Sequence, residues 1–95
     1  MELQFEWDDQ KANRNLKKHG VSFEEAKIVF YDPLAYIFED KWHSVDEQKE
    51  IIIGHDPNNR LLLVCFTERA NVIRIISAGI ATNKECKDYE QHTRF

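Results

Sequence analysis

Hydrophobic and polar positions change period several times along this chain, and the changes divide it into elements. Residues 3–7 read Leu-Gln-Phe-Glu-Trp, an alternation with a period of two that predicts a short first strand. Asp8 stands where an N-cap is expected, ahead of a helix over about residues 9–18. Gly20 is placed to take the left-handed C′ position that ends this helix, with Val21 as the apolar residue behind it. Ser22 and Glu25 have the spacing of a capping box, so a second helix starts at once. It presents Phe23, Ala26, Ile28 or Val29, and Phe30 to one side. It stops at Tyr31-Asp32-Pro33, because proline disfavours helix in the residue before it.

The remainder reads mainly as strand. Residues 34–38 are a candidate, followed by a charged loop over 39–48 without an apolar pattern. Residues 49–54 contain Ile51-Ile52-Ile53, β-branched on both faces, which predicts a central strand. Residues 55–59 are a turn by composition. Residues 60–69 and 72–78 form the strongest pair, joined by Ala70-Asn71, and Thr82 is placed to cap a last helix to about residue 91. There is no repeat, linker or low-complexity tract. The order β-α-α, then a β-meander and a closing helix, predicts one α+β domain over residues 1–95, with the paired helices on one sheet face.

Composition narrows the class. Hydrophobic residues make up 42% and aromatics 12% of the chain, too much for a disordered segment. The start, Met-Glu-Leu-Gln-Phe-Glu-Trp-Asp-Asp, lacks the basic and apolar regions of a secretion signal. The longest apolar run, residues 61–66, is far too short for a bilayer span. Cys65 and Cys86 show no metal spacing and suit reduced thiols. The expectation is a soluble cytoplasmic domain without membrane contact. A formal charge of −4 does not decide whether the chain binds nucleic acid, since an acidic body can carry a local basic patch. No basic recognition helix of a stand-alone DNA-binding protein is visible.

The last two strands carry the candidate chemistry. If Ala70-Asn71 is a two-residue loop, Arg69 faces Val72 and Thr67 faces Arg74. Alternation then puts Cys65, Thr67, Arg69, Val72, Arg74 and Ile76 on one face. It puts Val64, Phe66, Glu68, Ile73, Ile75 and Ser77 on the other, mainly apolar, face against the helices. Two neighbouring arginines on an open sheet face suit a phosphate, because the guanidinium fork matches its oxygens. The alternative is that both pair with surface carboxylates, and a three-residue loop would turn Arg74 into the core. His19 is placed to complement a helix C-terminus. His43 and His55 lack paired ligand spacing, so no metal site is expected, and His92 belongs to the tail. Trp7 and Trp42 read as packing residues.

Several blocks together resemble one family. They are Phe5-Glu6-Trp7-Asp8, Lys11 with Asn15, Lys18-His19-Gly20-Val21-Ser22-Phe23-Glu24-Glu25-Ala26 and Asp32-Pro33. His43, Glu47, Lys49 and Gly54 follow, then Arg60-Leu61-Leu62-Leu63-Val64, Thr67-Glu68-Arg69, Arg74-Ile75-Ile76-Ser77-Ala78, and Ala81-Thr82 with Glu85 and Tyr89. In this order, over residues 5–90, the chain resembles the BrnT toxins of BrnT–BrnA type II toxin–antitoxin modules. The resemblance implies a RelE-like ribonuclease fold, RNA as substrate, inhibition of translation, and neutralisation by a BrnA-type antitoxin that provides the only link to DNA. It also implies cleavage without metal or cofactor, by attack of a ribose 2′-hydroxyl on its own phosphate. Such a reaction needs a base, cationic stabilisation and an acid. Arg69 and Arg74 are then the candidates for the phosphate, and Lys49, Glu85, Tyr89 and Glu68 the candidates for proton transfer, with Glu68 facing away from the arginines. The chain departs from the family's usual pattern at Gly79, Cys86 and Val72, where basic residues are common. Ala70-Asn71 also replaces the usual Gly-Asp turn. Loss of positive charge near the RNA face leaves a second reading, a catalytically degenerate module that only binds its antitoxin and contributes to promoter autoregulation.

Overall fold

The computed structural model describes residues 3–39 and 49–92. Strand β1 (Gln4–Glu6) leads into helix α1 (Asp9–His19) and helix α2 (Phe23–Ile28), which continues as a single 3₁₀ turn over Val29–Tyr31. Four strands and a helix follow: β2 (Tyr36–Glu39), β3 (Glu50–His55), β4 (Leu61–Arg69), β5 (Val72–Ile80) and α3 (Asn83–His92). The five strands form one sheet in the order β1-β5-β4-β3-β2. All neighbours are antiparallel except β1, which runs parallel to β5.

The local signals act as their chemistry dictates. The Asp8 carboxylate accepts from the N–H groups of Gln10 and Lys11 at 2.8 and 3.2 Å, satisfying two of the unpaired donors of the first turn of α1. Gly20 ends that helix at φ 70°, its N–H bonded to the carbonyl of Leu16. The Ser22–Glu25 capping box is complete. A second one starts α3, where Glu85 N–H donates to Thr82 Oγ1 and Thr82 N–H to Glu85 Oε1.

Boundaries differ where a side chain competes with strand. The strand expected from residue 34 starts at Tyr36, because the Asp32 carboxylate takes the Leu34 N–H at 2.9 Å and its carbonyl takes that of Ala35. That local turn displaces ladder pairing. Beyond Glu39, the expected charged loop, with Trp42 and His43, lies outside the described residues.

Helices α1 and α2 cover one face of the sheet. Val21, Phe23, Ala26 and Val29 pack there on Ile52, Leu62, Val64, Phe66, Ile73, Ile75 and Ala78, with Trp7 and Phe30 partly buried beside them. Trp7 meets Phe23 with ring centroids 5.9 Å apart, and Phe30 meets Phe66 at 4.9 Å, both edge-on, a favourable arrangement for aromatic quadrupoles. Helix α3 packs on the other face. Tyr89, Ala81 and Cys86 pack there with Ile53, Leu61 and Leu63.

A bulge changes the expected faces. Phe66 pairs with Ile75 and Cys65 with Ser77, so Ile76 has no partner on β4. The extra residue restarts the alternation: Ala78 enters the core, and Ser77 is exposed. Ser77 therefore does not share the core face with Ile75, and Ile76 does not lie with the arginines. It faces α1, beside Lys11 and Arg14.

Strand β1 pairs with β5 only over Val72–Arg74. Further along, the buried Asn15 side chain of α1 substitutes for a strand. Its amide donates to the Ala78 carbonyl at 2.8 Å and accepts from the Ala78 N–H at 3.1 Å, and it also donates to the Val21 carbonyl at 2.9 Å. Asn15→Ala should therefore leave three buried backbone groups unpaired. The expected loss in urea unfolding is on the order of 3 kcal/mol, since each such group costs about 1–3 kcal/mol. A loss under about 1 kcal/mol would show that water replaces the amide.

Candidate active site

Ala70 and Asn71 have φ of 50° and 68°, the pair of positive values that a two-residue type I′ hairpin requires. The turn sets Arg69 opposite Val72 and Thr67 opposite Arg74, so the expected register holds from the turn to the bulge. Together with Glu6, these four residues line a concavity of about 190 Å³. Thr67 is buried at its centre and Arg69 and Arg74 are exposed. Lys49 immediately precedes β3, whose Glu50 pairs with Phe66, so continuing the register would set it near Thr67, although it does not line the concavity.

Glu6 is the residue that sequence reasoning missed. It pairs with Arg74 across the parallel β1–β5 ladder, and its Oε1 lies 3.7 Å from Arg74 Nη1, both side chains about half exposed. An ion pair this long and this wet contributes little to stability. It does set a carboxylate and two guanidinium groups around one cavity. The available signal was the alternation of residues 3–7, which puts Glu6 on the face opposite Phe5. The chain carries no local mark of which strand β1 would join.

Glu85 and Tyr89 are not brought to the arginines. Because α3 packs on Leu61 and Leu63, they sit at the start of β4, about 26 Å along the strand from Arg69 at roughly 3.3 Å per residue. Glu85 is engaged in its capping box. Tyr89 stacks on Tyr36 with centroids 6.0 Å apart, and its hydroxyl lies 3.4 Å from His55 Nδ1. The same nitrogen is 3.2 Å from Asp32 Oδ2, which also accepts the His55 N–H at 2.8 Å. Gly54 permits this approach: a Cβ there would lie 2.8 Å from that of Ala35 and 3.2 Å from Asp32 Oδ2.

Burial by itself would raise the Asp32 carboxyl, but hydrogen bonds from the His55 and Leu34 N–H groups and the His55 ring hold it below its ordinary value. Burial raises both phenols, with Asp88 and Glu85 adding to the effect on Tyr36, and Asp32 to that on Tyr89. Asp32, Glu85 and Asp88 act on these phenols. The cluster reads as a structural tie between the turn after α2, β3 and α3.

The other departures also separate in space. Val72 lines the arginine cavity. Cys86 packs under α3. Gly79 is remote from Arg74, and the nearest atoms to a Cβ built there belong to the His19 ring, at 3.8 and 3.9 Å. Among the described residues, no three or more His, Cys, Asp or Glu side chains converge on a point, and no helix is long and apolar enough to cross a membrane.

Comparisons with known proteins bear on the family and the fold. The model of the family described as "Ribonuclease toxin, BrnT, of type II toxin-antitoxin system" matches residues 7–85. The crystal structure of the Brucella abortus ribonuclease toxin BrnT superposes with a TM-score of 0.67, covering 86% of this chain and 100% of that one at 21% identity. It shares the mixed α+β fold, consistent with a RelE-like architecture. Comparison with curated proteins found no match. With most of its length matched by the family model, the chain belongs to the BrnT ribonuclease toxins of type II toxin–antitoxin systems.

Proposed function

We propose that this chain is an endoribonuclease that cuts RNA without a metal ion in the cavity between β1 and the β4–β5 hairpin. The observation that carries the reading is the convergence of Glu6, Arg69 and Arg74 on one cavity. Glu6 is placed to accept the proton of a ribose 2′-hydroxyl as its oxygen attacks the adjacent phosphorus. Arg69 and Arg74 neutralise the additional charge of the phosphorane, which is the largest contribution such a site makes. Lys49, near Thr67 if the register continues, is the candidate to protonate the departing 5′-oxygen. The products are a 2′,3′-cyclic phosphate and a free 5′-hydroxyl, with no other reactant consumed.

Cleavage of cellular RNA in the cytoplasm would arrest translation, and a BrnA-type antitoxin would reverse it by covering the arginine face of the sheet. DNA enters only through that antitoxin. The test is incubation of purified protein with a 5′-labelled RNA in excess EDTA. Fragments ending in cyclic phosphate, together with growth arrest on expression that the antitoxin relieves, are the expected results. Intact RNA and normal growth would favour the second reading, a module that binds its antitoxin without catalysis.

A further inference from the structure

We infer that the groove between α1 and the outer edge of β5 is a binding track for the phosphate backbone of single-stranded RNA. The inference rests on the proposal that RNA is the substrate, and it extends that site along the strand. Lys11, Arg14, Lys18 and His19 surround a concavity of about 270 Å³ whose other lining residues are Asn15 and Ile76. Lys11, Arg14 and Lys18 stand at i, i+3 and i+7 and so form one stripe on the helix. His19 stands beside them.

Four features make this more than a solvated helix face. The chain as a whole is acidic, at −4, yet this groove is lined by basic residues and no acid. Among the described residues, none of its four basic side chains takes part in an ion pair. The Asp8 carboxylate feels Lys11 and Arg14 only through space, because its oxygens cap the N-terminus of α1. Position in the helix explains only part of the pattern: Lys18 and His19 complement the C-terminal dipole, whereas Lys11 and Arg14 lie too early in α1 for that.

Continuity with the candidate active site selects the ligand. Arg74 and Ile76 are two residues apart on β5, about 7 Å, but Arg74 lies on the open sheet face and Ile76 toward α1. A strand leaving the arginine cavity therefore reaches the groove by passing round the edge of β5. The bulge at Ile76 turns the strand's edge toward α1 there. From Lys11 to Lys18 the stripe covers about 10 Å of helix, enough for about three consecutive phosphates of an extended chain. Ile76 supplies an apolar floor. A narrow concavity of this kind accepts one backbone, in the manner of proteins that track single strands through positive grooves.

The test measures binding alone, and so does not depend on whether RNA is cut. In a background of Arg69→Ala and Arg74→Ala, a fluorescent 12-nucleotide single-stranded RNA should retain measurable, salt-sensitive affinity. Adding Lys11→Gln, Arg14→Gln and Lys18→Gln should weaken it at least about tenfold at 100 mM salt and lower the slope of log affinity against log salt by about 2, at roughly 0.7 per phosphate. In the opposite direction, Gly79→Arg sets a cation beside the His19 ring, where a side chain has room and φ is not positive, and it should tighten binding and steepen the slope. Loss of all RNA binding in the two-arginine background, or equal affinity and slope after the three glutamine substitutions, would overturn the inference. So would a groove that prefers duplex DNA, or an acidic peptide, to the single strand. RNA binding that depends on the groove, in a protein that never cuts RNA, would support the track while ending the catalytic reading.

Discussion

The double substitution Arg69→Ala, Arg74→Ala is expected to lower RNA cleavage by about 10³-fold or more while leaving the fold intact. Pre-organised cationic and hydrogen-bonding groups at a developing charge typically contribute 10²–10³-fold each, and arginines at phosphoryl centres about 10³–10⁵-fold. Both side chains are exposed, and Arg74 makes only a long, wet contact to Glu6. Truncation should therefore change stability by no more than about 0.5 kcal/mol, so a thermal melt separates lost chemistry from lost structure. Glu6→Gln in the same assay should reduce the rate but preserve RNA affinity, since it removes a base and not a cation. If the arginine variant cuts RNA as the parent does, the cavity is not the active site.

Arg60→Ala should destabilise the fold strongly. Its guanidinium ties three elements together: Nη2 lies 2.8 Å from both Glu25 of α2 and Asp56 of the β3–β4 turn. Nε donates to Asp56 at 2.8 Å, and Nη1 reaches the Gly20 carbonyl at the end of α1. The Asp56 side chain is fully buried. Removing the arginine leaves that charge with only the Asn58 and Arg60 backbone N–H groups, and stranding a buried charge costs about 3–5 kcal/mol. Retention of the two backbone donors places the expected value near 3 kcal/mol.

The acid side of the stability curve checks the cause. Burial by itself would raise the Asp56 carboxyl, but bonds to Arg60, through backbone and side chain, hold it below its ordinary value of 3.8. A carboxylate depressed by folding stabilises the fold above its unfolded value and loses that contribution as pH falls toward its folded value. The gap between parent and Arg60→Ala should thus be full at pH 7 and shrink below about pH 4 as Asp56 takes up a proton. A gap that stays constant would trace the loss to packing and not to charge.

What the sequence made legible was local. Asp8, Gly20, Ser22 with Glu25, and Thr82 each act within a few residues, and their side chains specify the helix ends directly. The Ala70-Asn71 turn determined the register of the arginines, because a two-residue loop leaves one pairing. The resemblance of several blocks pointed to the family. What escaped was set by partners far along the chain. Glu6 joins Arg74 because β1 inserts parallel to β5, and an isolated alternating pentad does not announce which edge it will occupy. The bulge at Ile76 arises from how β4 and β5 pair, which neither strand's sequence shows by itself. His55 read as part of a turn until Asp32 and Tyr89, from two other elements, were found against it. Glu85 and Tyr89 were candidates for proton transfer at the arginines because helix packing side is not encoded in so short an amphipathic pattern.

The parallel pairing of β1 with β5 also bears on when the protein becomes active. Glu6 precedes Arg74 by 68 residues, so the two halves of the proposed site leave the ribosome at different times. A nascent chain that has not yet released β5 carries the Glu6 carboxylate without the Arg74 guanidinium beside it. Contacts between distant residues also form late, because a long loop must close before they contribute. If the proposed site cuts RNA, it stays incomplete, and harmless to the RNA and the ribosome producing it, until β5 has emerged and paired with β1.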